Sequence, residues 1–237
     1  MFQTVLREGY QGIGSLAIGL LARLHIVYVS RKTVRKSVTR WIPRTLRRDR
    51  LTEERVKTIL LDCDGTLWPD EGPGIFMRDI NKLELNRNLF IKLTEGYQSI
   101  ILVTNQSYFA RRNNLKYKEL TSFFKFYRKV AQELRVDAVL VCLHHPLADN
   151  LTLKRECVYR KPHSGLISLA NRITKLNLAE SALVGDRISD IYAGNLFGIK
   201  NCIAVYNEDF FDCNTEMKKL RIQEPLVFSL LQFPVKA

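Results

Sequence analysis

The sequence predicts an α/β fold in which a parallel β-sheet is covered by helices on both faces. From residue 57 onward, short apolar runs with the character of strands alternate with longer helix-like stretches. Such alternation is typical of parallel sheets, because each helix crosses back over the sheet before the next strand begins. In addition, polar residues directly follow several of the apolar runs, at the sheet edge where α/β proteins place their ligands.

The apolar runs that are predicted to be strands are short and are bounded by polar or turn residues. They are Thr58–Leu61, Ser99–Val103, Ala138–Leu143, Ala182–Val184 and Asn201–Val205. The stretches between them that are predicted to be helices are Leu85–Glu95, Leu115–Leu134, Ser164–Lys175 and Ser189–Phe197. From Leu120 to Ala131 apolar residues recur every three or four positions, which places them on one face of a helix.

Length and charge divide the chain into two parts. The 237 residues suffice for one domain with an appendage, and we expect a basic, partly apolar helical extension over residues 1–56 and a folded domain over residues 57–237. The net charge of +13 is uneven, since residues 1–56 carry 12 Lys or Arg against 4 Asp or Glu. The odd number of cysteines, without dense spacing, favours a reducing compartment. We therefore expect a cytoplasmic protein.

The extension has several interpretations. Ile13–Val29 is mostly apolar, but Arg23 and His25 interrupt it, so it is a poor candidate for a membrane span. Without a convincing signal-peptide cleavage site before the basic stretch Arg31–Arg50, secretion is not expected. Three possibilities stay open: contact with an anionic membrane at its cytosolic face, docking on a partner domain, and a solvated linker.

The first strand of the domain ends in Asp62-Cys63-Asp64-Gly65-Thr66. Because residues i and i+2 of a strand point the same way, Asp62 and Asp64 leave its carboxyl end together. Two carboxylates so close repel each other unless a cation or a shared proton relieves them. With Mg2+, which prefers oxygen ligands, one carboxylate could act as nucleophile and the other as general acid and base. The alternative is a capping Asp followed by a turn.

Three further strand-end motifs carry polar groups. Thr104-Asn105-Gln106-Ser107 could bind phosphate oxygens or cap a helix. Lys161 would balance the charge of the carboxylates and of a phosphate, with an exposed lysine as the alternative. Asp186, with Asp190 one turn later, would complete an oxygen-rich cation site. Because separate motifs agree, we expect them to share one active site.

Taken together, these residues resemble the phosphatase branch of the haloacid dehalogenase superfamily. Asp62-Cys63-Asp64-Gly65-Thr66, Thr104, Lys161 and Gly185-Asp186 are similar, in order, to its four motifs, and the resemblance covers about Lys57 to Val205. It implies a Rossmann-like three-layer parallel sheet, Mg2+ and an aspartyl-phosphate intermediate.

The resemblance also implies a role for each residue. Asp62 would attack phosphorus, and Asp64 would protonate the leaving oxygen and then activate water. Thr104 and Lys161 would hold the phosphoryl oxygens. Metal ligands would be Asp62, the carbonyl of Asp64, and Asp186. The residues expected to bind substrate or to support the site are Asn105, Arg111, Arg160, Arg187 and Asp190.

A narrower resemblance comes from Cys142-Leu143-His144 and from Cys157, which precedes Arg160-Lys161-Pro162. It is similar to the zinc loop, Cys-x-His…Cys-x-Cys, of the D-glycero-D-manno-heptose 1,7-bisphosphate 7-phosphatases and the histidinol-phosphate phosphatases. Thr104-Asn105-Gln106-Ser107 with Ala110-Arg111 is closer to the heptose branch. By this resemblance Cys142, His144 and Cys157 would bind Zn2+.

Two departures from that pattern bear on metal and substrate. Tyr159 stands where the fourth zinc ligand belongs, and a structural zinc takes four ligands. Either His145, His163 or water completes the shell, or the loop holds no metal and its cysteines are simply buried. Tyr108 and Arg112 replace glycines around Ala110-Arg111, a change that concerns substrate identity more than chemistry.

The motif spacing and the motifs together suggest a function. About forty residues separate Asp62 from Thr104, which leaves no room for a large cap domain, so specificity must come from loops such as Trp68–Met77 and Cys142–Tyr159. The leading interpretation is a Mg2+-dependent phosphomonoesterase acting on a sugar phosphate, with a heptose bisphosphate as the candidate substrate. The alternatives are a histidinol-phosphate phosphatase, a nucleic-acid 3′-phosphatase with a basic arm, and a non-catalytic scaffold of the same fold.

Overall fold

The computed structural model describes residues 26–29, 55–70, 72, 74–77, 83–112, 117–205, 213–223 and 225–231. Its strands are β1 (Ile26–Val29), β2 (Thr58–Leu61), β3 (Ser99–Asn105), β4 (Ala138–Cys142), β5 (Ala182–Gly185), β6 (Asn201–Val205) and β7 (Ser229–Leu231). Its helices are α1 (Arg87–Thr94), α2 (Tyr117–Glu133), α3 (Gly165–Thr174), α4 (Ile188–Phe197) and α5 (Cys213–Lys219), with a 3-10 turn at Ile75–Met77.

All strands belong to one sheet, in the order β1-β4-β3-β2-β5-β6-β7. The six strands from β2 to β7 are parallel, as the alternation of strands and helices predicts for β2 to β6, whereas β7 was not predicted. The chain moves outward from β2 through β3 to β4, then returns to the other side of β2 with β5. The carboxyl end of β2 therefore lies at the point where the strand order reverses, which is where open α/β sheets bind ligands.

Two apolar cores lie on opposite faces of the sheet. Side chains of β2 alternate between them: Ile59 and Leu61 pack with α1 and α2, whereas Leu60 packs with α3 and α4. This alternation follows from the two-residue period of a strand, and both faces are apolar because helices cover both. The predicted three-layer architecture is confirmed.

The connections after β2 and β3 decide how open the sheet edge is. Within the described residues, the β2–β3 connection holds the 3-10 turn and α1, and the β3–β4 connection holds α2. None of these elements forms a separate domain. The prediction that a large cap domain is lacking agrees with this part of the chain.

Strand β1 corrects one expectation. We predicted a helical extension over residues 1–56, but Ile26–Val29 is a strand that pairs antiparallel with β4. These four residues are β-branched or aromatic, types that favour strands, and the outer edge of β4 offers them backbone partners. The rest of the extension up to residue 54, including Arg31–Arg50, lies outside the described residues, and the domain boundary stays a prediction.

Among the described residues, no helix combines the length and apolar character needed to cross a membrane.

Candidate active site

The four polar motifs converge at the carboxyl edge of the sheet. Asp62 directly follows β2, and its backbone N–H donates to the carbonyl of Val184 on β5 at 2.9 Å. Thr104 is near the end of β3, and Asp186 directly follows β5. These side chains meet because neighbouring parallel strands end at the same edge. The expectation of one shared site agrees with this geometry.

Lys161 lies at the centre of the site and is buried. Its ammonium contacts Asp62 Oδ1 at 2.7 Å and Asp190 Oδ1 at 2.5 Å, and it donates to the carbonyl of Val103 at 2.9 Å. Three acceptors match the three donors of an ammonium. Burial acts to lower the pKa of Lys161, but the carboxylates of Asp190 and Asp62 outweigh it and raise the pKa. A phosphoryl oxygen would have to displace one of these acceptors to reach Lys161.

Three buried carboxylates meet beside this ammonium. Asp62, Asp186 and Asp190 each offer an oxygen within 4.8 Å of the others. Three carboxylates face the ammonium of Lys161 and, 3.8 Å from Asp186 Oδ2, the guanidinium of Arg187, so the cluster has more negative than positive charge and a divalent cation would reduce the difference. The donors are all oxygens, the ligands that Mg2+ prefers. These residues therefore fit a magnesium ion, and Asp190, predicted as a supporting residue, lies within the cluster.

Gly65 leaves room for this cluster. A Cβ at residue 65 would clash with Asp186 Oδ2. The φ of Gly65 is 79°, a backbone angle that glycine adopts readily. Thr66 then donates from its hydroxyl to Asp186 Oδ1 at 3.1 Å. The structure thus explains the Gly-Thr pair after the two aspartates. Gly65 leaves space for the Asp186 carboxylate, and the Thr66 hydroxyl orients it.

The crowding of like charges is visible in the pKa values of the cluster. Burial first, then the carboxylates of Asp62 and Asp190, raise the pKa of Asp186. Burial also raises the pKa of Asp190, although Lys161 opposes it. Both shifts mean that a bound cation would relieve an unfavourable arrangement of charge.

Asp64 faces different partners from Asp62. Its Oδ1 accepts a hydrogen bond from Trp68 Nε1 at 2.6 Å, and its Oδ2 accepts one from Gln106 Nε2. Burial and then the charge of Asp62 raise the pKa of Asp64 to about 6, while these two hydrogen bonds oppose the shift. A carboxyl group that titrates near neutrality can both give and take a proton. The predicted acid/base role of Asp64 has suitable surroundings.

Sequence reasoning gave Trp68 and Gln106 no individual role, although it placed Gln106 in a possible phosphate-binding motif and Trp68 in a loop that could set specificity. Gln106 lies inside the motif that contains Thr104, and its Nε2 also donates to Thr104 Oγ1 at 3.0 Å. Trp68 lies four residues after Asp64, in a turn where the backbone N–H of Gly65 donates to the carbonyl of Trp68 at 2.7 Å. The Asp-Gly turn was the available signal for Trp68, because such a turn folds the chain back on itself.

The side chain of Asn105 forms two hydrogen bonds with the backbone of Lys161. Its Nδ2 donates to the carbonyl of Lys161 at 2.9 Å, and its Oδ1 accepts from the N–H of Lys161 at 3.1 Å. This pairing joins the end of β3 to the segment before α3. It supports a positioning role for Asn105, whereas contact with substrate stays a prediction.

The predicted arginines lie around the centre of the site. Arg160 donates to the carbonyl of His144 at 3.0 Å, and Arg111 is exposed. Burial, followed by the charges of Arg160 and Arg111, lowers the pKa of His145. Arg187 contacts Asp70 Oδ2 at 2.6 Å and lies 3.8 Å from Asp186 Oδ2. The acidic centre therefore has a basic rim.

A second candidate metal site lies in the loop after β4. Cys142, His144 and Cys157 are buried, their ligand atoms lie within 4.8 Å of one another, and Cys142 Sγ is 3.8 Å from His144 Nδ1. Two thiols and an imidazole are donors that suit Zn2+, but three ligands leave its usual tetrahedral shell one short. Tyr159, at the fourth position of the motif, packs against the core that contains both cysteines. Zinc binding stays a prediction.

Comparison with known proteins agrees with this geometry. The HAD-hydrolase-like family model matches residues 158–209. The chain is 31% identical over 163 residues to the D-glycero-alpha-D-manno-heptose-1,7-bisphosphate 7-phosphatase of Photorhabdus laumondii, covering 65% of this chain and 85% of that protein. The chain belongs to the haloacid dehalogenase phosphatases.

Other relatives of this haloacid dehalogenase phosphatase point the same way. The chain is 32% identical over 144 residues to the D-glycero-beta-D-manno-heptose-1,7-bisphosphate 7-phosphatase of Haemophilus influenzae, covering 58% of this chain and 75% of that protein. The structure of the D,D-heptose 1,7-bisphosphate phosphatase of B. bronchiseptica, complexed with magnesium and phosphate, matches with a TM-score of 0.52 and 22% identity, covering 74% of this chain and 92% of that one. At that identity the structural match supports the fold.

Proposed function

We propose that this phosphatase is a Mg2+-dependent phosphomonoesterase whose substrate is a D-glycero-D-manno-heptose 1,7-bisphosphate. The observation that carries the proposal is the cluster of Asp62, Asp186 and Asp190 around the ammonium of Lys161, with Asp64 beside it. Phosphoryl transfer needs alignment and charge neutralisation, and this cluster offers both. Magnesium bound to Asp62 and Asp186 would neutralise the carboxylates and the charge of the ester together.

The residues of the chain would divide the reaction into two steps. In the first, a carboxylate oxygen of Asp62 forms a bond to phosphorus while the ester P–O bond breaks, and Asp64 gives its proton to the departing oxygen. In the second, Asp64 takes a proton from water, whose oxygen attacks phosphorus and frees Asp62 and phosphate. A covalent carboxylate intermediate makes two easier steps out of one difficult one. The Thr104 hydroxyl would hold a phosphoryl oxygen during both steps, and Lys161 would hold another in place of one of its present acceptors.

The basic rim supports a substrate with two phosphates. One phosphate would occupy the centre, and Arg111 and Arg160, whose positive charges act on His145, are candidates to bind a second anionic group. Several relatives are named for heptose bisphosphates, one for the alpha anomer and others for the beta anomer. The site has no described cap domain to enclose a substrate, so these rim residues are the candidates for selecting it.

Phosphate release by the purified protein tests the proposal. We expect turnover of heptose 1,7-bisphosphate in the presence of Mg2+, and a heptose monophosphate product that retains the phosphate at carbon 1. Both anomers, histidinol phosphate, hexose phosphates and a 3′-phosphorylated oligonucleotide should be compared. Asp62→Asn should abolish turnover while the protein remains folded. Preference for the oligonucleotide would overturn the substrate assignment, and continued turnover by the Asp62 variant would overturn the mechanism.

A further inference from the structure

Two buried side chains hold the carboxylate of Asp64 from opposite ends. The Trp68 indole is 2% exposed and donates to Oδ1, and the Gln106 side chain is 6% exposed and donates to Oδ2. Each carboxylate oxygen therefore has its own donor. With both oxygens engaged, the plane of the carboxylate is defined and its rotation is restricted.

These contacts come from two different parts of the fold. Trp68 belongs to the turn after β2, where the carbonyl of Cys63 accepts from the N–H groups of Thr66 and Leu67 at 3.2 Å and 2.8 Å. Gln106 follows β3, and its own N–H donates to the carbonyl of Cys142 on β4 at 2.8 Å. The Trp68 ring also meets Phe126 of α2 edge-on, with 6.3 Å between ring centroids. Neither donor can move without disturbing packed structure.

The amide of Gln106 has a second role. Its Nε2 donates to Thr104 Oγ1 as well as to Asp64. The Gln106 amide therefore ties the Thr104 hydroxyl oxygen to the Asp64 carboxylate. One amide group thus sets the relative position of the predicted proton donor and a predicted phosphate ligand.

We propose that Trp68 and Gln106 are positioning residues that aim the Asp64 carboxyl group at the leaving-group oxygen of the ester. The inference rests on the proposed function of Asp64 as general acid. General acid catalysis needs a proton donor within hydrogen-bond distance of the reacting oxygen, so a carboxyl group free to rotate would lose efficiency. The loss should be greatest for esters whose leaving group is a poor one.

Comparing two esters separates positioning from a purely structural effect. An alkyl phosphate needs protonation of its leaving oxygen, whereas p-nitrophenyl phosphate releases a stable phenolate and needs little. We expect Trp68→Phe and Gln106→Met to lower kcat/KM for the alkyl ester about tenfold or more, and for the aryl ester less than about threefold. The parameter kcat/KM reports the steps up to release of the alcohol or phenol, before Asp64 is needed as a base.

Phe126→Leu is the matched control, because it loosens packing against Trp68 but leaves the indole N–H in place. It should change kcat/KM for both esters by the same factor. In a protein that already carries Asp64→Asn, adding Trp68→Phe should not further lower kcat/KM for the alkyl ester relative to the aryl ester. The carboxyl group that Trp68 positions is already absent from that protein.

Equal losses for the two esters in both positioning variants, or additive losses in the Asp64→Asn background, would overturn the inference. If Trp68→Phe fails to fold, Gln106→Met alone decides the question. With heptose 1,7-bisphosphate as the alkyl ester, a wild-type protein that turns over neither ester would contradict the proposed function itself, and the inference with it.

Discussion

Asn105 and Lys161, on segments 56 positions apart, are joined through both ends of the Asn105 amide. The donor and acceptor of one side chain match the carbonyl and the N–H of one backbone residue. This pairing fixes the segment that carries Lys161 against the end of β3, while the Lys161 ammonium reaches Asp62 and Asp190. The position of the Lys161 ammonium thus depends on hydrogen bonds made by the uncharged side-chain amide of Asn105.

Asn105→Ala should therefore impair the reaction more than it impairs folding. We expect kcat/KM to fall at least about tenfold, because Lys161 loses its anchor, and the free energy of unfolding to fall by about 1–3 kcal/mol, because the backbone groups of Lys161 lose their partners. Phosphate-release kinetics and urea denaturation measure the two effects. Asn201→Ala removes an exposed side-chain bond to the carbonyl of Ala179 and should leave kcat/KM unchanged. Equal kinetic effects of the two variants would contradict the prediction.

Gly65→Ala should remove metal binding, and Gly72→Ala is its matched control. Both glycines have positive φ, 79° and 82°, so both substitutions carry a similar backbone cost, about 1 kcal/mol. Only at Gly65 does the new Cβ meet Asp186, since no atom of the other described residues lies within 4 Å of a Cβ at Gly72. We expect Gly65→Ala to lower the affinity for Mg2+ and the phosphatase activity at least about tenfold, and Gly72→Ala to preserve both. Calorimetric titration with Mg2+ measures the affinity, and similar affinities in the two variants would refute the role given to Gly65.

The thermal stabilisation by Mg2+ should increase with pH. The pKa values of Asp186 and Asp190 are raised, to about 8 and about 6, from an ordinary value of 3.8. Without metal, the folded state binds more protons than the unfolded state, so this stabilisation is present at low pH and is lost as the pH rises through the raised values. Magnesium would replace those protons, and the Tm gain on adding it should be larger near pH 8 than near pH 5.

Asp186→Asn is the control for that experiment, measured by differential scanning calorimetry with and without Mg2+. It removes one repelling carboxylate, so the metal-free variant should lose less stability at alkaline pH than the wild type. Its Tm gain with Mg2+ should also be small. A gain in the wild type that is independent of pH, or larger at acidic pH, would argue against metal binding at this cluster.

Tyr159→Cys should create a tighter zinc site in the loop after β4. The wild-type cluster offers Cys142, His144 and Cys157, and a fourth thiolate would complete a tetrahedral shell. We expect the dissociation constant for Zn2+ to fall at least about tenfold. Competition with a chromophoric chelator measures it, and Tyr159→Phe, which adds no ligand, should resemble the wild type. No zinc binding by either the wild type or the cysteine variant would show that the loop is not a metal site.

Much of the architecture could be predicted because it depends on local patterns. Apolar runs and an amphipathic helical stripe indicate strands and helices, and the observed strand β3 differs from the predicted Ser99–Val103 only by extending to Asn105. Alternation then implies a parallel sheet, which brings the residues after β2, β3 and β5 to one edge. Asp62, Thr104 and Asp186 were found together for this reason. Strand β1 was missed because its short apolar sequence becomes a strand only beside the edge of β4.

The sequence by itself therefore determined the sheet, its ligand-binding edge and the residue types that reach it. Only the tertiary structure decided which groups pair there: Lys161 with Asp190 as well as Asp62, and Asp64 with Trp68 and Gln106. The physical reason is that strand formation follows from hydrophobic periodicity along the chain, whereas a hydrogen bond or an ion pair depends on distances and angles that exist only after separate segments have packed. Asp64 and Gln106, 42 positions apart, acquire that geometry through the pairing of β2 with β3.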